Sequence, residues 1–184
     1  MYIKDLQKRY ENYKFKVKEP ILDIGGSDGS FLKSQGIKKA TIIEGGDYLG
    51  EGDINYIKAD ITKKLPNMKK KFNTIFIMEV LEHLKNPLYL LSQTYDLLND
   101  DGICYIAIPH TEIGPNHHHV CRWKAREIID QTKKLGFIPK IIQKRRRYSG
   151  LGFWVPHCWL VLALKKRKTN SNLRNKDIYK LRFD

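Results

Sequence analysis

Apolar residues in this chain come mostly in short runs bounded by glycine, proline or acids. Ile21, Leu22 and Ile24 make a brief buried run around Asp23. Ala40-Thr41-Ile42-Ile43-Glu44 and Ile54-Asn55-Tyr56-Ile57-Lys58-Ala59-Asp60 repeat the plan, each ending in an acid. Ile103 to Ile108, Phe137 to Gln143 and His157 to Leu164 are further runs of strand length, the first closed by Pro109. Between them the period changes to that of a helix. Leu6, Tyr10 and Tyr13 predict an amphipathic helix within residues 3–15. Asn86 is a good N-cap and Pro87 a good first helical residue, because an N-cap side chain takes an orphan N–H and proline has none to lose. Leu88, Leu91, Tyr95 and Leu98 then mark one helix face that ends near Asn99, with Asp100-Asp101-Gly102 as a turn. A helix over 123–135 turns Ile128, Ile129 and Leu135 inward and stops at Gly136. Strands alternating with helices predict an α/β domain with a mainly parallel sheet.

Gly25, Gly26 and Gly29 follow the first strand directly, with Ser27, Asp28 and Ser30 available to cap the next helix. Glycine leaves room for a ligand and permits positive φ where the strand turns. The dinucleotide pattern G-x-G-x-x-G fails in either register, and G-x-x-x-x-G-K-S/T is absent, so neither a pyrophosphate turn nor a P-loop is present. An acid at Asp23 repels a pyrophosphate and suits a ligand that bears an ammonium group.

Asp23-Ile24-Gly25-Gly26-Ser27-Asp28-Gly29 resembles the first motif of class I S-adenosylmethionine (SAM)-dependent methyltransferases, D-x-G-x-G-x-G, with Ser27 at the middle glycine. Phe72-Asn73-Thr74-Ile75-Phe76-Ile77-Met78-Glu79-Val80-Leu81-Glu82-His83-Leu84-Lys85-Asn86-Pro87 resembles the fourth-strand motif F-D-x-I-x-x-x-E-V-L-E-H-L-x-N-P of the small single-domain, type 11/23-like group, with Asn73 for the usual Asp. The resemblance implies a Rossmann-like fold: a seven-stranded, mostly parallel sheet with an antiparallel last strand inserted between the fifth and sixth, and helices on both faces. It implies SAM as cofactor, held by Asp23, Gly25, Gly26, Ser27, Gly29, Glu44, Asp60, Ile61, Met78 and Glu79. Glu44, about twenty residues past the first strand, fits the acid that accepts bonds from ribose hydroxyls. Asp60 or Ile61 is implied beside the adenine. His83 is either near the methyl group or holds the start of a helix.

His117-His118-His119 with Cys121 raises the question of a metal. Adjacent residues seldom converge on one ion, and no second CxxC or HxxxH half exists, so the expectation is no metal and activity insensitive to chelators. The stretch around Pro115-Asn116-His117-His118-His119-Val120 is similar to the segment that covers the acceptor pocket in many small-molecule methyltransferases. One of His110, His117, His118 or His119 then orients the acceptor or takes its proton, because imidazole titrates near neutrality. The alternative is a polar surface loop. No N-P-P-Y loop for adenine-N6 chemistry and no Pro-Cys nucleophile for cytosine-C5 chemistry is present.

Composition refines this picture. The chain of 184 residues fits one domain, expected over 1–165, with 1–18 carrying the N-terminal helix and 166–184 a basic tail. The formal net charge of +14 is uneven. Residues 21–139 hold 15 basic and 15 acidic side chains, while residues 140–184 hold 13 basic and 2 acidic. Arg145, Arg146 and Arg147, with the tail, therefore form a possible contact for RNA or another polyanion. A charged N-terminus, three cysteines without paired spacing and no apolar run of membrane length predict a cytoplasmic protein without a transmembrane segment. The leading function is methyl transfer from SAM to an O or N nucleophile of a small molecule or a glycan or lipid precursor. The alternatives are an RNA methyltransferase and a non-catalytic SAM-binding or regulatory module.

Overall fold

A computed structural model describes residues 10, 13–47, 53–111, 119–147 and 157–167. Seven strands form one sheet in the order β3-β2-β1-β4-β5-β7-β6. They are β1 (Ile21–Ile24), β2 (Lys39–Glu44), β3 (Asp53–Lys58), β4 (Phe72–Met78), β5 (Leu98–Thr111), β6 (Phe137–Arg147) and β7 (His157–Lys166). β1 pairs in parallel with β2 and β4, β2 with β3, and β4 with β5. β7 runs antiparallel to both β5 and β6, inserted between them as expected.

Strand side chains alternate between two separate cores. On one face Leu22, Ile24, Ile75, Ile77, Ile106 and Ile108 pack with Leu88 and Leu91 of α2 (Pro87–Leu97) and Ile128 of α3 (Ala125–Lys134). On the other, Ile21, Phe76, Met78, Tyr105 and Ala107 pack with Phe31 and Leu32 of α1 (Ser30–Ser34). This period of two, with apolar residues on both faces, is what a central parallel sheet covered on two sides requires. The Asn86 side chain accepts from the Tyr89 N–H at 3.2 Å, and Gly136 ends α3 at φ +90°, both as the sequence predicts.

Three expectations need correction. The helix within 3–15 does not reach residue 15: residues 13–18 are irregular. Tertiary contacts outcompete helix formation there. Phe15 packs against Phe31, Phe76 and Tyr105, the Tyr105 hydroxyl donates to the Lys16 carbonyl, and the Thr74 hydroxyl bonds both ends of Lys18. The turn at Asp100-Asp101-Gly102 lies inside β5, as an irregularity where register passes from Phe72↔Leu98 to Thr74↔Ile103. Gly102 is required there: a Cβ would sit 2.8 Å from Leu98 Cδ1 and 3.0 Å from the Asn99 carbonyl. β6 and β7 run past residues 143 and 164 to Arg147 and Lys166, because they pair along their whole length. Residues 168–184 of the expected tail lie outside the described residues.

Candidate functional site

The carboxyl ends of β1, β2, β3 and β4 bring the predicted residues to one edge of the sheet, where ligands of open α/β folds bind. Beyond Ile24 the chain turns at Gly25, with φ +75°, and the Gly25 N–H donates to the Ile43 carbonyl at 2.8 Å. The Gly29 N–H closes the loop onto the Gly26 carbonyl at 2.9 Å, and Gly29, at φ +74°, is the N-cap of α1. None of Ser27, Asp28 and Ser30 caps α1; the Asp28 side chain instead accepts from the Ser30 N–H at 3.0 Å. Ser27, the departure from the glycine motif, takes a left-handed conformation at φ 48°. Its N–H donates to Glu44 Oε2 at 3.3 Å.

Glu44 thus joins the loop to the end of β2. Its Oε1 also accepts from the N–H groups of Gly45 and Gly46, at 2.7 and 3.3 Å. Each carboxylate oxygen has two lone pairs, so capacity remains for a ligand hydroxyl. Asp23 lies below the loop, 1 % exposed, and its Oδ2 has no hydrogen-bond partner. Burial, reinforced by the charge of Glu44, pushes its carboxyl up to about 7.

Two glycines are needed for reasons the sequence does not reveal. A Cβ on Gly26 would lie 2.6 Å from Asp23 Oδ2, and one on Gly25 would lie 2.5 Å from Val80 Cγ2. The first glycine therefore accommodates Val80 and the second the buried acid; the expectation of ligand space alone was incomplete.

Asp60 and Ile61 follow β3, which the Ala59 N–H ties to the Glu44 carbonyl at 2.9 Å. Bonds from the Thr62 hydroxyl and N–H, with Lys63 at 3.2 Å, hold the Asp60 carboxyl below its ordinary range. Met78 is buried at the end of β4. Glu79 beyond it takes φ 57°, donates its N–H to the Ala107 carbonyl at 2.9 Å and accepts from the Tyr10 hydroxyl at 2.7 Å. A non-glycine residue at positive φ marks a place where the surroundings impose strain.

The 3₁₀ turn Leu81–His83 comes next. Glu82 is 1 % exposed, and its carbonyl accepts from the N–H groups of Val120 and Cys121 at 2.8 and 3.0 Å. These bonds seat His119 against His83, with ring centroids 4.9 Å apart and planes edge-on. Two of the five predicted histidines therefore meet. His110 is placed only by its backbone, at the end of β5, and His117 and His118 lie outside the described residues. The sequence reading missed Glu82, Val80 and Tyr10. Val80 and Glu82 stood in the quoted fourth-strand motif, and Tyr10 was read only as one residue of a helix face.

Neither Cys104 nor Cys121 is a poised nucleophile: burial pushes the Cys104 thiol far up and raises that of Cys121, which donates to the Leu84 carbonyl. Arg145, Arg146 and Arg147 fall on β6, the sheet's edge strand, with β4, β5 and β7 between it and β1. Among the described residues, no helix is long and apolar enough to cross a membrane.

The methyltransferase domain family matches residues 2–140. A search among curated proteins gave no match. Solved structures with the same fold include a SAM-dependent methyltransferase of Thermotoga maritima, described as a possible histamine N-methyltransferase. It is 15% identical with a TM-score of 0.68, covering 90% of this chain and 89% of that one. The YcgJ protein of Bacillus subtilis is 11% identical with a TM-score of 0.69, covering 90% and 99%. The 1,6-didemethyltoxoflavin-N1-methyltransferase of Burkholderia thailandensis, solved with S-adenosylhomocysteine, is 15% identical with a TM-score of 0.63, covering 90% and 78%.

Proposed function

The chain belongs to the methyltransferase domain family, and we propose that it transfers a methyl group from SAM to an oxygen or nitrogen nucleophile of a small molecule or of a glycan or lipid precursor. The carrying observation is Asp23. A buried carboxyl with an unpartnered oxygen, below a turn of three glycines, suits a ligand that brings its own positive charge. The ammonium of SAM supplies one. Glu44 accepts from the ribose hydroxyls, and Asp60 or Ile61 flanks the adenine. Gly25, Gly26, Ser27 and Gly29 shape the wall against which the amino-acid end lies, with Met78 and Glu79 at its far side. The bound sulfonium supplies an activated methyl group. The protein's own work is then to bind, to align the nucleophile and to exclude water. His83 and His119 stand beyond Glu79 on the side left for the acceptor.

The neutral charge balance of residues 21–139 supports a small acceptor, and so does the small-molecule name of the Burkholderia relative. The deciding experiment is labelled methyl transfer onto cell extract, fractionated into RNA, lipid, protein and small molecules. Label in the small-molecule or lipid fraction is expected; label confined to protein would reject the reading.

Glu44→Ala is expected to weaken SAM by about 1–3 kcal/mol, through lost charge-assisted bonds. Glu44 also holds three loop N–H groups, so Glu44→Gln, which keeps an acceptor oxygen, should lose less. Equal SAM affinity in Glu44→Ala and the parent by calorimetry would remove Glu44 from the site.

The RNA reading rests on the 13 basic residues after position 139. If it held, Arg145, Arg146 and Arg147 changed together to alanine would abolish turnover on RNA, and affinity would fall steeply with salt as counterions are released. A small-molecule enzyme instead tolerates removal of residues 168–184, beyond the end of β7, and binds RNA weakly without selectivity. Tight, selective RNA binding at physiological salt would reverse the choice.

A further inference from the structure

We infer that Glu82, His83 and His119 form a site for one divalent transition-metal ion beside the methyl-donor site. One ligand atom from each residue comes within 4.8 Å of the others. Ligands at about 2.1 Å from a tetrahedral ion are about 3.4 Å apart, so closure needs up to about 1.4 Å of side-chain movement. The donor set decides the class of ion. Two imidazole nitrogens and one carboxylate oxygen suit Zn²⁺, Mn²⁺, Fe²⁺, Co²⁺ or Ni²⁺, whereas Ca²⁺ and Mg²⁺ favour oxygen alone.

The scaffold holds the set from two directions. The 3₁₀ turn presents Glu82 and His83, and the Val120 and Cys121 N–H groups bind the Glu82 carbonyl and so bring His119 across. Glu82 itself is 1 % exposed, so its carboxylate is fixed in the fold rather than free to swing at the surface. His83 Nε2 already lies 3.9 Å from Glu82 Oε1 with its side chain 44 % exposed, which leaves an entry path from solvent. The expectation of no metal rested on the run His117-His118-His119, whose adjacent residues seldom converge, and on the lack of a second CxxC or HxxxH half. Here a single histidine of that run joins two residues from a distant turn.

Three protein ligands leave coordination positions open for water or an acceptor oxygen. Val80, which contacts the glycine loop through Gly25, opens this same turn, so the ion lies next to the donor site. Presentation of an acceptor oxygen rests on the methyltransferase reading above; the ion site does not.

The test uses the full chain stripped with a chelator and titrated with Co²⁺ and Zn²⁺ alone. Co²⁺ absorption and Zn²⁺ calorimetry are expected to give one equivalent per chain. His83→Ala and His119→Ala are each expected to weaken binding by about tenfold or more, since even outer partners of a metal ligand cost about that much. Both should keep SAM affinity. Glu82→Gln should also lose the ion; because Glu82 is buried, circular dichroism must confirm that this variant folds, and the two histidine variants stand without it. No stoichiometric binding overturns the inference. So does parent-like binding in both His83→Ala and His119→Ala, or a loss confined to His117→Ala with His118→Ala. SAM calorimetry on the same samples separates the two claims: SAM binding without ion binding sinks only the ion site, and ion binding without SAM binding sinks only the methyltransferase reading.

Discussion

Asp23→Asn is expected to weaken SAM by about 10²–10⁴-fold, the cost of breaking a buried charge pair at about 3–5 kcal/mol. The same change should make the cofactor-free protein more stable at alkaline pH. Burial first, and the charge of Glu44 second, raise the Asp23 carboxyl from 3.8 to about 7 in the folded chain. A raised acid favours the protonated fold. Its stabilising contribution is therefore complete below about pH 3.8 and is lost as pH rises through about 7. At about 1.4 kcal/mol per pH unit, the ionised form burdens the empty site by about 4 kcal/mol at pH 8. Asparagine keeps the shape without the charge, though a buried amide lacking partners still costs about 1–3 kcal/mol. The net gain in melting temperature should be clear at pH 8 and should shrink toward pH 5, where the parent acid is already neutral. SAM should reverse the order, stabilising the parent far more than the variant, as mass action requires of a ligand bound to the folded state. Parent-like SAM affinity in Asp23→Asn, or a stability gain independent of pH, would show that Asp23 does not meet the ammonium.

This opposition between stability and binding explains how much of the site the sequence could disclose. Asp23, Gly25, Gly26, Gly29 and Glu44 were legible because a βα turn uses local residues at fixed spacing. The strands were legible because apolar runs bounded by turn residues have few other readings, and Asn86 and Gly136 because caps are local chemistry.

What failed to show in the sequence depends on contacts between distant segments. Leu6, Tyr10 and Tyr13 have helical spacing within 3–15, yet Phe15 is drawn onto the sheet by Phe31, Phe76 and Tyr105, and burying aromatic surface outweighs the propensity of one helical turn. Asp100-Asp101-Gly102 reads as a turn in any local scheme. Only the pairing of Leu98 with Phe72 makes it part of a strand, and the bond from Asn99 Nδ2 to Asn73 Oδ1 at 2.8 Å fixes it there. The meeting of Glu82 and His83 with His119 needs the whole of β5 to return the chain to the turn after β4. No spacing rule could pair them.

Gly25→Val should be the most damaging single change in the site, lowering the melting temperature by about 4–24 °C and abolishing measurable SAM binding. Two costs combine. At φ +75° a β-branched residue is strained by about 1–3 kcal/mol. Its Cβ also arrives 2.5 Å from Val80 Cγ2, and overpacking of a buried contact costs a further 1–3 kcal/mol or about that. Together these reach about 2–6 kcal/mol, at about 2–4 °C each for a chain of this size. Gly36 supplies the control: it has φ +70° and no atom within 4 Å of an added Cβ, so Gly36→Val carries the strain alone and should keep SAM binding. The difference in melting temperature between the two variants isolates the clash with Val80. Adding Val80→Ala to Gly25→Val should then recover part of the stability, although Val80→Ala by itself destabilises, because residues in contact do not add. If Gly25→Val melts no lower than Gly36→Val, then Val80 does not explain the glycine, and the coupling between the donor loop and the turn that carries Glu82 and His83 would be absent as well.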